Sequence, residues 1–354
     1  MQLQKKYKRI VVKIGSSLFY SDKSKLDEKL LESVCSQVAD LLKAQYEVVL
    51  VSSGAIALGM SVLGLNSRPK ELAGLQAAAA IGQHELMDIY RKAFKKYSLN
   101  CAQLLLTWDD FSNRQRFLNA KNTLNTLLKL KTVPIINEND TVSTDEIKFG
   151  DNDRLSALVS ILVGADLLII LSDVDGLLDG NQKVVRLVDK ITAQIKSLAA
   201  PAKKKTTVGG MITKIEACRI ATASGISSVI ANGKAKDIIS LLAADASASG
   251  TLFLPVGTCL DAKERWMAFG SKAKGKVIID DGAKKALLAK KSLLAVGVTS
   301  TEGSFLSGEI ISICDKKKVE FARGKAGVSS KELDKVLGSH FDREVVHRNN
   351  IVIL

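Results

Sequence analysis

Short apolar runs alternate with longer amphipathic segments through most of the chain. The apolar runs predict buried strands at residues 9–14, 47–51, 101–106, 133–136, 167–171 and 228–231. The segments between them carry apolar residues at helical spacing and predict helices at residues 26–44, 72–97, 113–130, 154–164, 213–224 and 236–244. Strands that alternate with helices of this length predict parallel βαβ units. We therefore expect an α/β fold, a parallel-sheet helix-sheet-helix sandwich.

The pattern changes after about residue 265. Short β-like runs at residues 277–279, 308–313 and 345–346 are separated by turns that contain glycine, which predicts a small, mostly β second domain. A polar segment with a glycine, residues 272–276, precedes these runs. We predict a first domain of residues 1–262, a linker of residues 263–274 and a second domain of residues 275–354. A chain of 354 residues is long enough for about two domains.

The bulk composition narrows the class of protein. The five cysteines are scattered and form no CxxC pair, so neither a disulfide framework nor a zinc site is indicated, and a reducing cytoplasm is expected. No signal peptide or membrane-spanning segment is predicted, and no membrane partner is expected. The formal net charge of +14 favours an anionic partner such as a nucleotide, an acidic substrate or RNA. A lysine-rich solvated surface explains most of these charges equally well.

Polar residues and glycines follow four of the predicted strands, at residues 13–17, 52–54, 137–140 and 172–173. Parallel strands bring their carboxyl ends to one edge of a sheet, where open α/β sheets bind ligands. Lys13 stands inside an apolar strand, and a buried unpaired ammonium group is costly. It should therefore meet an anion, which is either a structural aspartate or a bound phosphate.

Two clusters rich in Asn and Asp lie close together, at residues 137–140 and 150–153. Turn formation and helix capping could explain either cluster alone, but the two together favour a polar substrate. Lys214 follows a glycine pair at a helix start, where the helix dipole does not favour a cation. With Lys13 it indicates an anionic ligand.

The chain lacks the common nucleophile motifs. Neither a P-loop nor a nucleophile elbow occurs, and the three histidines lie outside every motif. A carboxylate substrate needs no base, since its pKa of about 4.3 leaves it ionised at pH 7. Phosphoryl transfer to a carboxylate then needs only positioning and charge neutralisation, which two lysines, Mg²⁺ and backbone amides can supply.

Six segments resemble the amino acid kinase family: residues 11–17, 51–59, 116–120, 135–140, 150–153 and 209–214. Residues 275–348 resemble the PUA domain that many of these enzymes carry. The pair formed by residues 137–140 and 150–153 is typical of the branch of the family that acts on L-glutamate. The resemblance implies ATP- and Mg²⁺-dependent phosphorylation of the γ-carboxylate of L-glutamate to γ-glutamyl phosphate, the first step of proline biosynthesis.

The same resemblance implies roles for individual residues. Lys13 and Lys214 would neutralise the transferring phosphoryl group, and Asp153 would hold the two lysines in place. The glutamate-binding residues would be Ser53, Asn137, Asp140 and Asn152. The ATP-binding residues would be Lys13, Ser172, Asp173, Val208, Gly209, Gly210, Met211, Ile212, Thr213 and Lys214. No metal ligand from a protein side chain is expected, and residues 141–149 are the loop expected to close over glutamate.

Partners and alternatives follow from the same comparison. The family implies feedback inhibition by proline and a homo-oligomer, and a γ-glutamyl phosphate reductase is a plausible partner because acyl phosphates hydrolyse readily. Residues 173–180 are closer to the acetylglutamate kinases, which makes such a kinase an alternative. The wider superfamily implies N-acetylglutamate, aspartate or carbamate as alternative acceptors. An RNA-binding protein is another alternative, because 18 Lys and Arg face 11 Asp and Glu from Lys263 onward. No aromatic platform or arginine-rich stripe accompanies this charge, so a structural or regulatory appendage is favoured.

Overall fold

The computed structural model describes residues 6–19, 27–142, 152–199, 210–255, 260–339 and 341–354. The chain forms two compact units. The first comprises Met1–Asp110 and Arg114–Cys259, and the second comprises Phe111–Asn113 and Leu260–Leu354. Among the described residues, no helix is both long enough and apolar enough to cross a membrane.

The first unit is built on one eight-stranded sheet. Its strands are β1 (Arg9–Ile14), β2 (Glu47–Ser52), β3 (Cys101–Leu106), β4 (Val133–Glu138), β5 (Leu167–Ser172), β6 (Leu187–Val188), β7 (Ser227–Asn232) and β8 (Thr251–Phe253). Their order is β3-β4-β2-β1-β5-β7-β8-β6. The six strands from β3 to β7 pair in parallel, which confirms the predicted parallel α/β sheet. The short β8 runs antiparallel to β7 and pairs in parallel with β6, and neither short strand was expected.

Between these strands the described part of the chain forms helices at the six predicted places, with ends that differ by at most two residues, and four further helices that were not predicted. They are α1 (Ser16–Phe19), α2 (Glu28–Lys43), α3 (Ala55–Val62), α4 (Leu72–Lys95), α5 (Trp108–Ser112), α6 (Arg114–Lys129), α7 (Asn152–Val163), α8 (Ala193–Leu198), α9 (Met211–Ala223) and α10 (Ile238–Ala244). Helices α2, α4 and α10 contribute to one core with alternate residues of β1: Ile10, Val12 and Ile14. Because side chains alternate across a strand, Lys13 lies on the opposite face of the sheet.

Helices α3 and α4 pack unusually close together, and glycines permit it. A Cβ atom on Gly82 of α4 would lie 1.7 Å from the backbone oxygen of Ala55 in α3. A Cβ atom on Gly59 of α3 would lie 1.8 Å from the backbone oxygen of Ala78 in α4. Any larger residue at either glycine would push the two helices apart. This contact holds α4 beside the segment that follows β2.

The second unit has its own five-stranded sheet. The strands are β9 (Gly275–Ile279), β10 (Val298–Glu302), β11 (Ile310–Cys314), β12 (Glu320–Lys325) and β13 (Ile351–Ile353), in the order β10-β9-β11-β12-β13. Only the β9–β11 pair is parallel. A separate apolar core that includes Val277 and Ile311 confirms a small β-rich domain. The β-like run predicted at residues 345–346 forms only an isolated bridge, between Val346 and Leu293.

Short helices complete the second unit: α11 (Ala262–Arg265), a π-helix (Trp266–Gly270), α12 (Asp281–Leu288), α13 (Ser330–Asp334) and two 3₁₀ turns (Ala295–Gly297 and Arg348–Asn350). Apart from Ala262, the first two fall in the predicted linker, residues 263–274. Trp266 Nε1 donates to the backbone oxygen of Phe111 at 2.9 Å, and Arg323 Nη1 donates to that of Ser271 at 2.9 Å. These residues therefore pack within the second unit, while the domain limits at 262 and 275 stay predictions.

Candidate active site

The carboxyl ends of β4, β2, β1 and β5 lie side by side along one edge of the first sheet. The four strands are neighbours and pair in parallel. The backbone N–H of Ser53 donates to the carbonyl of Ile14, and the N–H of Gly15 donates to that of Leu171, both at 3.3 Å. The convergence expected from the sequence is therefore present, and it forms the candidate site.

Two lysines and one aspartate form a buried cluster at this edge. Lys13 Nζ forms an ion pair with Asp153 Oδ1, and Lys214 Nζ lies 3.1 Å from Asp153 Oδ2. The exposed fractions of the three residues are 5% for Lys13, 0% for Asp153 and 7% for Lys214. Lys13 therefore meets a structural aspartate, one of the two anions expected for it. The Lys13–Asp153–Lys214 cluster carries a formal charge of +1, which suits an anionic ligand.

Local structure sets up this cluster. Asp153 lies in the first turn of α7, where the helix dipole favours a carboxylate. Thr213, in the first turn of α9, donates its hydroxyl to Asp153 Oδ2 at 3.0 Å, and Lys214 follows it. Burial by itself disfavours the charged carboxylate, but the ion pairs with Lys13 and Lys214 outweigh it. The pKa of Asp153 falls from its ordinary 3.8 to about 2.

A chain of amides occupies the neighbouring strand ends. Asn152 Nδ2 donates to the hydroxyl of Ser53 at 2.7 Å, to Asn137 Oδ1 at 2.8 Å and to the backbone oxygen of Ser52 at 3.4 Å. Asn152 Oδ1 is buried and has no hydrogen-bond partner among the described residues. An unpartnered buried acceptor is costly unless a ligand supplies a donor.

This network of amides extends to α4. Asn137 Oδ1 also accepts from the backbone N–H of Glu138 at 2.9 Å, and Asn137 Nδ2 donates to Gln83 Oε1 at 2.8 Å. Asn137 is 2% exposed. Three of the four predicted glutamate-binding residues therefore join one network, while Asp140 lies half-buried two residues beyond β4.

The predicted nucleotide side lies at the ends of β1 and β5. Ser172 Oγ and Ser17 Oγ both donate to Asp173 Oδ1, at 3.1 and 3.3 Å. Gly210 caps α9, which begins at Met211, and the side chain of Ile212 is 55% exposed. Val208, Gly209 and residues 143–149 of the expected closing loop lie outside the described residues.

Sequence reasoning missed three residues that touch this edge. Gln83 and Tyr90 lie two turns apart on α4, and Tyr90 donates its hydroxyl to Ser52 Oγ at 2.9 Å. Asn232 ends β7 and donates to Asp175 Oδ1 at 2.8 Å. A glutamine seven residues before a tyrosine, on an otherwise apolar helix face, is the signal that could have revealed the first two.

A groove of about 580 Å³ lies at the opposite edge of the sheet. Its lining includes Lys8, Tyr46 and Thr132, which directly precede β1, β2 and β4. Lys43 and Lys129 also line it, in the last turns of α2 and α6, where helix dipoles favour cations. Helix ends therefore account for these charges. Among the described residues, no group of three or more His, Cys, Asp or Glu side chains is placed to hold a metal ion.

Comparison with known proteins places this chain in a family of phosphotransferases. Residues 8–232 match the amino acid kinase family, and residues 275–347 match the PUA domain. The chain belongs to the amino acid kinase family, and a kinase of this family uses ATP.

Two relatives that match the whole chain have the same name. The chain is 44% identical to the glutamate 5-kinase of Caldanaerobacter subterraneus subsp. tengcongensis, with 98% of each protein covered. It is 42% identical to the glutamate 5-kinase of Pelobacter propionicus, which covers 100% of this chain and 99% of that protein. The N-acetylglutamate synthase of Neisseria gonorrhoeae, bound to coenzyme A and N-acetyl-glutamate, shares the fold: TM-score 0.52, 15% identity, 71% of this chain and 60% of that one. This full-length similarity does not favour the RNA-binding alternative.

Proposed function

We propose that the chain transfers the γ-phosphoryl group of ATP to the γ-carboxylate of L-glutamate, which yields γ-glutamyl phosphate and ADP. The buried Lys13–Asp153–Lys214 cluster carries the proposal, because it offers net positive charge at a strand-end edge where a phosphoryl group can lie. The shared name of the full-length relatives supports glutamate as the acceptor.

The transfer needs no protein base. An oxygen of the ionised γ-carboxylate attacks the γ-phosphorus, and a new carboxyl O–P bond forms as the bond to the β–γ bridging oxygen breaks. ADP leaves with that electron pair, and no proton moves, since the acceptor is already deprotonated at neutral pH. The negative charge spread over the phosphoryl oxygens would be met by Lys13 and Lys214. Asp153 would keep both ammonium groups at that position.

The nucleotide would lie at the ends of β1 and β5, beside Ser172, Asp173 and the 208–214 segment. Mg²⁺ is commonly held through substrate phosphates and water with few protein ligands. We propose that it enters as the ATP complex and shares the neutralisation of phosphate charge with the two lysines.

The amide network would bind the amino acid end of glutamate. Asn152 Oδ1 is a buried acceptor without a partner among the described residues, so it suits the α-ammonium group, with Asp140 as a second acceptor. Ser53 and the backbone N–H groups near it suit a carboxylate. Proline, which resembles glutamate at this end, would inhibit at the same place. We also propose a cytoplasmic homo-oligomer that passes its unstable product to a γ-glutamyl phosphate reductase.

An acceptor panel tests the proposal. ADP release is measured with Mg-ATP and, in turn, L-glutamate, N-acetylglutamate, aspartate and carbamate, and hydroxylamine traps any acyl phosphate as a hydroxamate. We expect ADP release and hydroxamate with L-glutamate. Activity with N-acetylglutamate and none with glutamate would overturn the assignment. The Lys13→Met variant serves as the inactive control.

A further inference from the structure

We propose that Gln83 of α4 is a positioning residue that lets the site select substrates with an α-ammonium group. It would act through Asn137 and Asn152 without touching the reacting atoms. The proposal rests on glutamate being the substrate.

Gln83 is a buried polar residue on an apolar helix face. It is 8% exposed, and the neighbouring positions of that face include Leu86, Tyr90 and Phe94, each fully buried. A buried glutamine is costly unless its amide is used. Gly82 beside it permits the close contact between α4 and α3, so the backbone that carries Gln83 is held firmly.

Backbone groups show which atom of Asn137 and which atom of Asn152 is the oxygen in the network that leads from Gln83. The N–H of Glu138 can only donate, so the atom of Asn137 that faces it is the oxygen. The nitrogen of Asn137 must then point to Gln83 Oε1, at 2.8 Å. Asn152 faces the oxygen of Asn137 and the carbonyl of Ser52, both acceptors, so it turns its nitrogen to them.

With the nitrogen of Asn152 used in this way, its oxygen is left without a hydrogen-bond partner among the described residues. This oxygen, Oδ1, is a buried acceptor. The amide network thus presents Asn152 Oδ1 as a fixed acceptor to the proposed glutamate site. The donor that glutamate offers is its α-ammonium group. Gln83 Oε1 is the acceptor that holds Asn137 in this arrangement.

Gln83→Met keeps the length of the side chain and removes the acceptor. Asn137 Nδ2 would lose its partner while buried, so the Asn137–Asn152 pair would lose one of the contacts that hold it in a single orientation. The acceptor for the ammonium group would then be partly lost. Gln83→Glu keeps an oxygen that can accept from Asn137, so it should restore selection.

The test compares L-glutamate with glutarate, which has both carboxylates and lacks only the α-ammonium group. We expect the wild type to prefer glutamate strongly, since sites built for an N–H group reject analogues without one. In Gln83→Met, kcat/KM for glutamate should fall roughly tenfold to a hundredfold, the effect of one buried hydrogen bond. The value for glutarate should change little, and KM for ATP should not move. Gln83→Glu should keep the wild-type preference.

Gln37→Met is the matched control. Gln37 is also a buried glutamine, 6% exposed, but its Oε1 accepts from the backbone of Ile239 at 2.8 Å, away from the site. Its preference for glutamate over glutarate should equal that of the wild type. Parallel losses for both substrates in Gln83→Met, an unchanged preference, or equal loss in Gln83→Glu would each overturn the inference. A wild type inactive with glutamate would instead refute the proposed function.

Discussion

Replacing Asp153 by asparagine should destabilise the first unit and disable the site together. The carboxylate is fully buried and is the partner of two buried lysines. Asparagine keeps the shape but removes the charge, so the ammonium groups of Lys13 and Lys214 face each other without a counterion. Breaking a buried ion pair in this way costs about 3–5 kcal/mol.

The pKa of Asp153 gives a second measure of the same interaction. Its fall from 3.8 to about 2 corresponds to roughly 2 kcal/mol of stability at neutral pH. The mutational cost is larger because it also includes the repulsion between the buried ammonium groups of Lys13 and Lys214, which would no longer share a carboxylate. A lowered folded-state pKa stabilises the protein above the unfolded-state value. This contribution should therefore be complete above about pH 4 and be lost as the pH falls towards 2.

Urea unfolding followed by circular dichroism measures the effect, with and without Mg-ATP. We expect Asp153→Asn to lower the free energy of unfolding by about 3–5 kcal/mol at pH 7. The free energy of unfolding of the variant should also fall less than that of the wild type when the pH is lowered from 4 towards 2, because protonation of Asp153 no longer contributes. Because phosphate can replace the missing anion, Mg-ATP should raise the urea midpoint of the variant more than that of the wild type. Asp40→Asn is the control, since its exposed pair with Lys43 should matter little. Wild-type stability and turnover in Asp153→Asn would refute the role of the cluster.

Three further predictions concern the first unit. Lys13→Met and Lys214→Met should each lower turnover about a hundred- to a thousandfold in an ADP-release assay, and near-normal turnover in both would contradict the mechanism. Gly82→Ala should lower the free energy of unfolding by about 1–3 kcal/mol, because its Cβ would meet a carbonyl oxygen of α3 at 1.7 Å. Gly180→Ala is its control, with nothing within 4 Å, and equal losses would contradict the packing argument. Tyr90→Phe should lose about 1 kcal/mol in urea unfolding, and an unchanged midpoint would show that its hydrogen bond to β2 contributes nothing.

The spacing of apolar residues along the chain predicted most of the helices and strands. It also predicted which edge of the sheet carries the polar residues of the site. Apolar runs of strand length and apolar residues at helical spacing are local patterns, so they can be recognised without knowing which distant segments they contact. The sequence also predicted that Lys13 needs an anion, because burying an unpaired ammonium group in an apolar strand is costly in any fold. The glycine and serine turns after four strands followed from the same pattern.

The tertiary structure decided which groups meet. Asp153 faces Lys13 because β1 and the start of α7 are brought together across 140 residues of sequence. Gln83 reaches the amide network only because α4 packs beside the ends of β2 and β4. The antiparallel direction of β8 beside β7 is likewise a result of the tertiary fold. These contacts depend on strand order and helix packing between distant segments. No local spacing encodes them, and they form only when the whole first unit folds.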